Sequence, residues 1–223
     1  MEAVIKVGGS LAEDPAGLRA ICKKLGEIAK KHMILVVPGG GKFADVVRVF
    51  DQQFALSRKI SHKMAILGMD QFGLLLSQII SDSCATYLLN DAKQLSGSGA
   101  VPIFLPSRLM FEEDPLEHSW TVTSDSIAAY IASRLQANKL VLVTDVDGIF
   151  TNDPKKYLDA KLIKELSARE LLELDKRTSV DQFLPQLLSK TQIDCYVVNG
   201  KYPERIETIL AGQDATCTLI AAE

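Results

Sequence analysis

A chain of 223 residues is long enough to bury a sizeable core, as one large α/β domain or as two small ones. Apolar residues make up 47% and charged residues 24%, which is the balance of a globular protein. The formal charge of -3 and the lack of a basic block argue against nucleic acid as a partner. No apolar run reaches the roughly 18 residues that a membrane helix needs, and we read no targeting signal, so no membrane partner is expected.

The cysteines indicate the redox setting. They lie far apart and form no C-x-x-C pair, which argues against a disulfide framework and against a structural zinc site. A reduced, cytoplasmic location fits this pattern best.

The first predicted strand opens into the turn Gly8-Gly9-Ser10. Glycines leave backbone N–H groups unshielded, so an anionic oxygen can approach them closely. Lys6 lies within the strand, and strand alternation places its side chain on the face of Gly8. The pattern indicates a phosphate-binding turn with a cation in reach. The structural alternative is an edge strand with a snorkelling lysine.

A second glycine turn follows one β-α-β unit later. A helix is predicted from Asp14-Pro15, because Asp caps the helix and Pro suits its first position. The buried strand at 33–37 ends in Pro38-Gly39-Gly40-Gly41-Lys42, and a further helix follows. Parallel strands would bring both turns to one edge of the sheet. The spacing matches neither the Walker loop nor G-x-G-x-x-G.

The middle of the chain is predicted to be mainly helical. Residues 57–89 form one long or twice-broken helical stretch, whose apolar face indicates core or a subunit interface. Near its start, Arg58, His62 and Lys63 form either a solvated face or the contacts for an acidic acceptor. A polar connection is predicted at 93–100, a strand at 101–105 and an irregular segment at 111–120. Trp120 suits the wall of a substrate site, although packing alone would also explain it.

A capped helix and an acidic loop come next. Thr123 or Ser124 is predicted to cap a helix that runs to about residue 135, which leaves Asp125 in the first turn free to orient a lysine. A buried strand at 139–144 leads into a loop with two carboxylates, a glycine and a Pro-Lys pair. The loop could mark a metal site, but the EF-hand spacing fails, so no residue is assigned as a metal ligand.

The remaining elements complete an α/β pattern. The predictions are a capping box at Ser167-Ala168-Arg169-Glu170, a helix at 180–189 that Pro185 starts or interrupts, a strand at 193–198, a helix from Pro203 to Leu210 and an edge strand at 216–220. We find no repeat and no linker, so the predicted fold is a single domain over 1–223, a three-layer α/β/α sandwich with a mostly parallel central sheet.

Three motifs together resemble the amino acid kinase superfamily over nearly the whole chain. They are Lys6-Val7-Gly8-Gly9-Ser10, Pro38-Gly39-Gly40-Gly41, and Thr144-Asp145-Val146-Asp147-Gly148-Ile149-Phe150 with Asp153-Pro154-Lys155. The resemblance implies the amino acid kinase (carbamate kinase-like) fold. It also implies ATP-dependent phosphoryl transfer to a small acceptor, with an acceptor lobe at about 1–120 and a nucleotide lobe at about 121–223.

The resemblance also implies roles for single residues. Lys6 would bridge the moving phosphoryl group and Asp125 would hold Lys6 in place. The residues implied around the nucleotide are Gly8, Gly9, Ser10, Thr144, Asp145, Asp147, Gly148, Phe150 and Lys155, and those implied at the acceptor are Gly39, Gly40 and Gly41. Magnesium would be held largely by the phosphates and by water. Gln186 stands where acetylglutamate kinases carry a second lysine, which makes a carboxylate acceptor a weaker match.

Four further segments narrow the resemblance within the superfamily, namely Pro38 to Asp45, His118-Ser119-Trp120 before Thr123-Ser124-Asp125, Val180-Asp181 with Leu184-Pro185, and Val197-Val198-Asn199-Gly200. They look most like a small archaeal-type group. Those enzymes phosphorylate [5-(aminomethyl)furan-3-yl]methyl phosphate to its diphosphate in methanofuran synthesis. Such an acceptor carries an amine, a flat ring and a phosphate, for which Trp120, Asp181 and Arg58 or Lys63 are the candidate partners. The alternatives are a carboxylate kinase, a UMP or isopentenyl phosphate kinase, and a non-catalytic nucleotide or anion sensor. We expect a homo-oligomer, a dimer or higher.

Overall fold

The structure is a computed structural model that describes residues 1–154, 156–174 and 178–222. Its strands are β1 (Ala3–Val7), β2 (Ile34–Pro38), β3 (Ser83–Thr86), β4 (Val101–Phe104), β5 (Lys139–Thr144), β6 (Ile149–Phe150), β7 (Leu162–Ile163), β8 (Glu165–Ser167), β9 (Asp194–Asn199) and β10 (Thr218–Ala221). Its helices are a 3-10 helix (Gly9–Glu13), α1 (Pro15–Ala29), α2 (Gly41–Phe54), α3 (Arg58–Ile79), α4 (Leu89–Gly97), α5 (Ser107–Glu113), α6 (Ser124–Arg134), α7 (Ala168–Glu173), α8 (Leu184–Leu188) and α9 (Glu204–Leu210).

Within the described residues, one eight-stranded sheet runs through the molecule in the order β3-β4-β2-β1-β5-β9-β10-β8. Every neighbouring pair is parallel except β9 and β10, which are antiparallel. The strands β6 and β7 form a small separate ribbon. The mostly parallel sheet confirms the predicted fold class.

Alternation along β1 assigns its residues to the two sides of the sheet. Ile5 packs into a core with α1 and α9, whereas Val4 packs into a core with α6, α7 and α8. Both cores are fully closed over the strand, as expected for a parallel sheet with helices on each face. Lys6 shares the side of Val4, so its chain runs toward α6.

Four predicted elements differ from the structure. The helix predicted over 57–89 ends at Ile79, because Ile80 takes an extended conformation with ψ of 122°. Asp82 then takes a left-handed φ of 56°, and Ser83–Thr86 is a strand. The polar connection at 93–100 is mostly helix α4, and α5 extends to Glu113 within the segment predicted to be irregular. The last strand is not an edge strand, since β10 lies between β9 and β8.

Two predicted helix caps are present. Thr123 caps α6, and the capping box of Ser167 and Glu170 is present at α7. The four cysteines, Cys22, Cys84, Cys195 and Cys217, are all free thiols. Among the described residues, no helix is both long and apolar enough to cross a bilayer.

Candidate active site

The two glycine turns touch each other through their backbones. A Cβ added to Gly9 would lie 2.1 Å from the amide nitrogen of Gly41, and one added to Gly39 would lie 2.5 Å from that of Gly9. Real Cβ atoms do not approach a backbone nitrogen this closely, so the contact requires glycine on both sides. The turns that follow β1 and β2 therefore converge at one edge of the sheet, as predicted.

Lys6 reaches this point from inside the sheet. Its side chain is 11% exposed, and Nζ lies 3.8 Å from the position that a Cβ of Gly8 would occupy. The ammonium pairs with the Asp125 carboxylate at 2.7 Å. Burial raises the pKa of Asp125, and the nearby Lys6 charge opposes that rise. The cation is thus buried, oriented and directed toward the glycine turns.

A second buried carboxylate fixes the helix that carries Asp125. Each oxygen of Asp181 accepts three hydrogen bonds, from the backbone and hydroxyl groups of Thr123 and Ser126 and from the amides of Phe183 and Leu184. The Asp181 amide donates in turn to Asp125 at 3.2 Å. This carboxylate is saturated by the protein itself, so the structure does not favour the predicted contact of Asp181 with a substrate amine.

The amides that could bind phosphate oxygens are fewer than predicted. The Gly8 amide donates to the Val143 carbonyl at 2.9 Å, and the Gly39 amide donates to the Val7 carbonyl at 2.8 Å. These bonds hold the turns against the sheet and occupy both amides. Gly8 and Gly39 therefore contribute by their lack of a side chain, which allows the close contacts, and not as donors to a phosphate. Gly41 opens α2, where the first amides of a helix have no intrahelical acceptor and favour an anion.

An acceptor-sized cavity of about 250 Å³ lies directly beyond the turns. It is lined by Gly9, Ser10, Glu13, Gly40, Gly41, Lys42, Ala44, Asp45, Arg48, His62, Ala65, Ile66, Met69, Trp120, Val122, Thr123, Ser124 and Ile127. The turns form one end and helices α2 and α3 form the side. We call this space the acceptor cavity.

Trp120 forms a fixed wall of the acceptor cavity. Its indole N–H donates to Asp51 at 2.7 Å, and the Arg48 guanidinium lies 4.4 Å from the ring centre. An adjoining cavity on the other side of Trp120 is lined by Arg58, His62 and His118. The structure therefore places Trp120 at the acceptor cavity and Arg58 only in the adjoining one. Lys63 lies over the Phe111 ring instead.

His62 also lines the acceptor cavity. Burial lowers the pKa of His62, and the facing His118 lowers it further, while Asp114 opposes them. The rings of His62 and His118 lie 5.2 Å apart. His62 is consequently biased toward its neutral form.

A further cavity follows the carboxyl end of β5. Its lining is Thr144, Asp145, Val146, Gly148, Phe150, Asn152, Asp153, Pro154, Lys156, Thr178 and Ser179. Four residues implied by the resemblance, Thr144, Asp145, Gly148 and Phe150, meet here. Thr178 and Ser179 belong to no recognisable motif, although the Ser179 hydroxyl donates to the Gly148 carbonyl at 3.0 Å. We call this space the nucleotide cavity.

Several predicted residues lie elsewhere. Asp147 pairs with Arg205 at 2.5 Å and is not part of the lining of the nucleotide cavity. Lys155 lies outside the described residues. Gln186 is exposed on α8, and neither it nor Lys190 lines the acceptor or nucleotide cavity. Within the described part of the chain, no group of three or more His, Cys, Asp or Glu side chains could hold a metal ion.

The sequence profile described as the Amino acid kinase family matches residues 1–199 of this chain. The chain belongs to the amino acid kinase family. A [5-(aminomethyl)furan-3-yl]methyl phosphate kinase from Methanocaldococcus jannaschii is 37% identical over 219 residues, covering 97% of this chain and 96% of the relative. A uridylate kinase from Methanobrevibacter smithii is 26% identical, covering 99% of this chain and 100% of the relative.

Solved structures agree on the fold. The uridylate kinase from Archaeoglobus fulgidus superposes with a TM-score of 0.78 at 24% identity, covering 99% of this chain and 100% of that chain. An aspartate kinase from Synechocystis superposes with a TM-score of 0.72 at 19% identity, covering 100% of this chain and 40% of the other. The predictions of the superfamily, of its fold and of a phosphotransferase are confirmed.

Proposed function

We propose that this protein is an ATP-dependent kinase that phosphorylates [5-(aminomethyl)furan-3-yl]methyl phosphate to its diphosphate, a step of methanofuran biosynthesis. The observation that carries the proposal is the position of Lys6. Its strand lies between β2, which leads to the acceptor cavity, and β5, which leads to the nucleotide cavity. A buried cation at that junction is where a phosphoryl group would cross between two bound substrates.

The chemistry needs alignment more than it needs a base. An oxygen of the acceptor phosphate attacks the γ-phosphorus of ATP, the new P–O bond forms, and the bond to ADP breaks. The attacking oxygen is already ionised near neutral pH, because the second pKa of a phosphate monoester is about 6. No side chain has to remove a proton. Asp125 therefore serves by orienting Lys6, and Lys6 stabilises the charge that develops on the transferred group.

Other groups would hold the two substrates. The free amides at the start of α2 and the side chain of Lys42 line the acceptor cavity and suit an acceptor phosphate. Thr144, Gly148 and Phe150 would surround the nucleotide in its own cavity. Magnesium, which neutralises phosphate charge when bound, would be held by the phosphates and water, with Asp145 and Asp153 the carboxylates that line that cavity.

The acceptor assignment is supported by the relative from Methanocaldococcus jannaschii, whose identity of 37% exceeds the 26% of a uridylate kinase over similar coverage. UMP is the second candidate acceptor, because the uridylate kinase from Methanobrevibacter smithii also matches 99% of this chain. An assay that couples ADP release to a spectroscopic signal, run with the furan phosphate, UMP, isopentenyl phosphate and N-acetylglutamate, tests this. We expect the highest kcat/KM with the furan phosphate. Faster turnover of UMP would overturn the assignment, and ATP binding without turnover of any acceptor would favour a sensor.

We also propose that the protein is a homo-oligomer. Helices α2 and α3 expose a set of large apolar side chains, namely Phe43, Val46, Val49, Phe50, Phe54, Ile60, Leu67, Leu74 and Leu75. Apolar surface of this extent on neighbouring helices is typical of a subunit interface. Light scattering coupled to size exclusion should give a mass of at least twice 24.4 kDa. Phe54→Glu, at a side chain that is 69% exposed, should shift the mass toward the monomer.

A further inference from the structure

Trp120 separates the acceptor cavity from the adjoining cavity. The residues that line both spaces are His62, Ala65, Trp120 and Val122. Trp120 has the largest side chain of these four, and Val122 is buried in the core beneath the cavities. The indole of Trp120 is therefore the main partition between the two spaces.

Two residues of α2 hold the indole in this position, one from each cavity. Arg48 lines the acceptor cavity, and its guanidinium lies 4.4 Å from the centre of the ring. Asp51 lines the adjoining cavity and accepts a hydrogen bond of 2.7 Å from the indole N–H. Positions three apart lie on the same face of a helix, so both contacts come from one rigid element. An indole that is held at its ring face and at its N–H resists rotation out of the partition.

The partition limits the size of the ligand that the acceptor cavity can enclose. With a volume of about 250 Å³, this cavity lies just below the range of about 300–1,000 Å³ that is usual for small-molecule sites. Such a space suits a phosphate joined to one small ring, whereas a nucleoside monophosphate carries a base in addition to its sugar ring. The adjoining cavity has a volume of about 330 Å³, so removal of the indole would more than double the space available.

The adjoining cavity could hold a polar ring once it is opened. It is lined by Arg58, His118 and Ser119, which supply hydrogen-bond donors and acceptors of the kind that a pyrimidine base needs. The glycines of the second turn, Gly40 and Gly41, line the acceptor cavity and not the adjoining one. Trp120 therefore lies between the turn that would bind an acceptor phosphate and the groups that could bind a base.

We infer that Trp120, held by Arg48 and Asp51, restricts the acceptor to phosphate monoesters that carry a single small ring and excludes nucleoside monophosphates. This inference rests on the proposed function and adds the residue that sets the size of the acceptor. The ring of Trp120 would contact the ring of a small acceptor, and its bulk closes the path into the adjoining cavity. Removal of the indole should thus weaken binding of the smaller ligand and strengthen binding of the larger one.

The test measures how the preference between a one-ring and a two-ring acceptor depends on Trp120. Wild type, Trp120→Phe and Trp120→Ala are titrated by calorimetry with [5-(aminomethyl)furan-3-yl]methyl phosphate and with UMP, and both compounds are assayed as acceptors with ATP. Trp120→Ala should raise the Kd of the furan phosphate about tenfold, because an aromatic contact is lost, and lower the Kd of UMP about tenfold, because the pocket is enlarged. The ratio of the two Kd values should change about hundredfold, with Trp120→Phe between wild type and Trp120→Ala.

A further variant leaves the indole in the chain but releases it. Asp51→Ala removes the acceptor of the indole N–H, so the Kd ratio should shift in the same direction by about three- to tenfold. Gln52→Ala, at the exposed neighbouring position of α2, is the matched control and should leave both Kd values within about twofold. Thermal melts establish that each variant is folded. Because Trp120 is the one tryptophan of the chain, its fluorescence in wild type should also change when the furan phosphate binds.

The inference and the proposed function fail in different ways. If the folded variants of Trp120 and Asp51 all keep the Kd ratio within about twofold of wild type, the indole does not set acceptor size and the inference is overturned. The same holds if wild type binds UMP as tightly as the furan phosphate. Turnover of the furan phosphate with an unchanged ratio would leave the proposed kinase function standing without this role for Trp120. A ratio that shifts as expected, with no turnover of either acceptor, would support the inference and overturn the kinase function.

Discussion

Two regions of this molecule are proposed to bind phosphate oxygens, and they differ in how deeply their residues are buried. At the transfer point, a fully buried strand, two glycine turns in backbone contact and an ion pair with 2.7 Å between its charged atoms are held together. The nucleotide cavity is lined by a loop after β5 and by Thr178 and Ser179, and most of these residues are half-buried or exposed. The difference teaches that close packing is concentrated at the proposed transfer point, whereas the proposed nucleotide cavity is lined by less deeply buried residues.

Removal of the buried Lys6 cation should have the largest effect on activity. Lys6→Met should lower kcat at least about hundredfold, because one preorganised charge at the transferred group is worth that much. It also leaves the buried Asp125 carboxylate without its cationic partner, which destabilises the fold. The double variant Lys6→Met/Asp125→Asn removes that charge and should regain thermal stability while remaining inactive. A double variant with wild-type turnover would exclude the assigned role.

Separating the two turns should have the next largest effect. Gly9→Ala places a Cβ 2.1 Å from the Gly41 nitrogen, so one turn must move by about 1 Å, a shift that can cost about hundredfold in rate. Gly97→Ala on α4 is the control, since its Cβ meets nothing within 4 Å. Steady-state kinetics should show full activity for Gly97→Ala only. Comparable activity for both variants would mean that turn contact is not required.

Loosening the support of Asp125 should give an intermediate loss. Asp181→Asn replaces an oxygen that accepts three hydrogen bonds with a donor, which should lower the free energy of unfolding by about 2–4 kcal/mol. We expect kcat to fall about tenfold with little change in the KM for ATP, because Asp125 loses its fixed orientation. Chemical denaturation and kinetics measure both effects. The exposed Asp214→Asn serves as the control, and a rise in KM alone would point to direct substrate contact instead.

The nucleotide cavity should respond more mildly. Ser179→Ala removes one hydrogen bond to the Gly148 carbonyl, worth about 1 kcal/mol, so the KM for ATP should rise about fivefold with kcat retained. The matched variant is Ser189→Ala, whose hydroxyl bonds to Gln186 at an exposed position. A large fall in kcat for Ser179→Ala would show that this loop takes part in alignment, and the contrast between the two regions would weaken.

The smallest expected effect is on the pH dependence of folding stability, through His62 in the acceptor cavity. The folded-state pKa of His62 is lowered below its usual value near 6.5, so its stabilising contribution is present above that pH and is lost as the pH falls through the folded-state value. Wild type should therefore lose more stability than His62→Gln between pH 7.5 and pH 5.5 in urea denaturation. Equal losses would mean that His62 is not held neutral.

The same contrast explains what could be predicted from the sequence. Lys6, its turn and the second glycine turn were predictable because short motifs and strand alternation determine their positions locally. The pairing of Lys6 with Asp125 followed from the resemblance and from the spare cap at Thr123, and the structure brings the two together.

Other features depend on contacts between distant parts of the chain. The sequence placed Asp181 at the substrate, but its 55-residue separation from Ser126 hid the buried hydrogen bonds that saturate it. The strand β3 was missed because its four residues follow a helix of 22 and carry no strand-like alternation.

The central claim is that the transferred group lies between Lys6 and the two touching glycine turns. A crystal structure of the protein with ADP, a planar metal fluoride as the phosphoryl mimic, and the furan phosphate measures this directly. We expect the mimic to lie about 2.7–3.1 Å from Lys6 Nζ and within hydrogen-bonding distance of the amides at the start of α2. A mimic bound away from both turns, with Lys6 still paired only with Asp125, would contradict it.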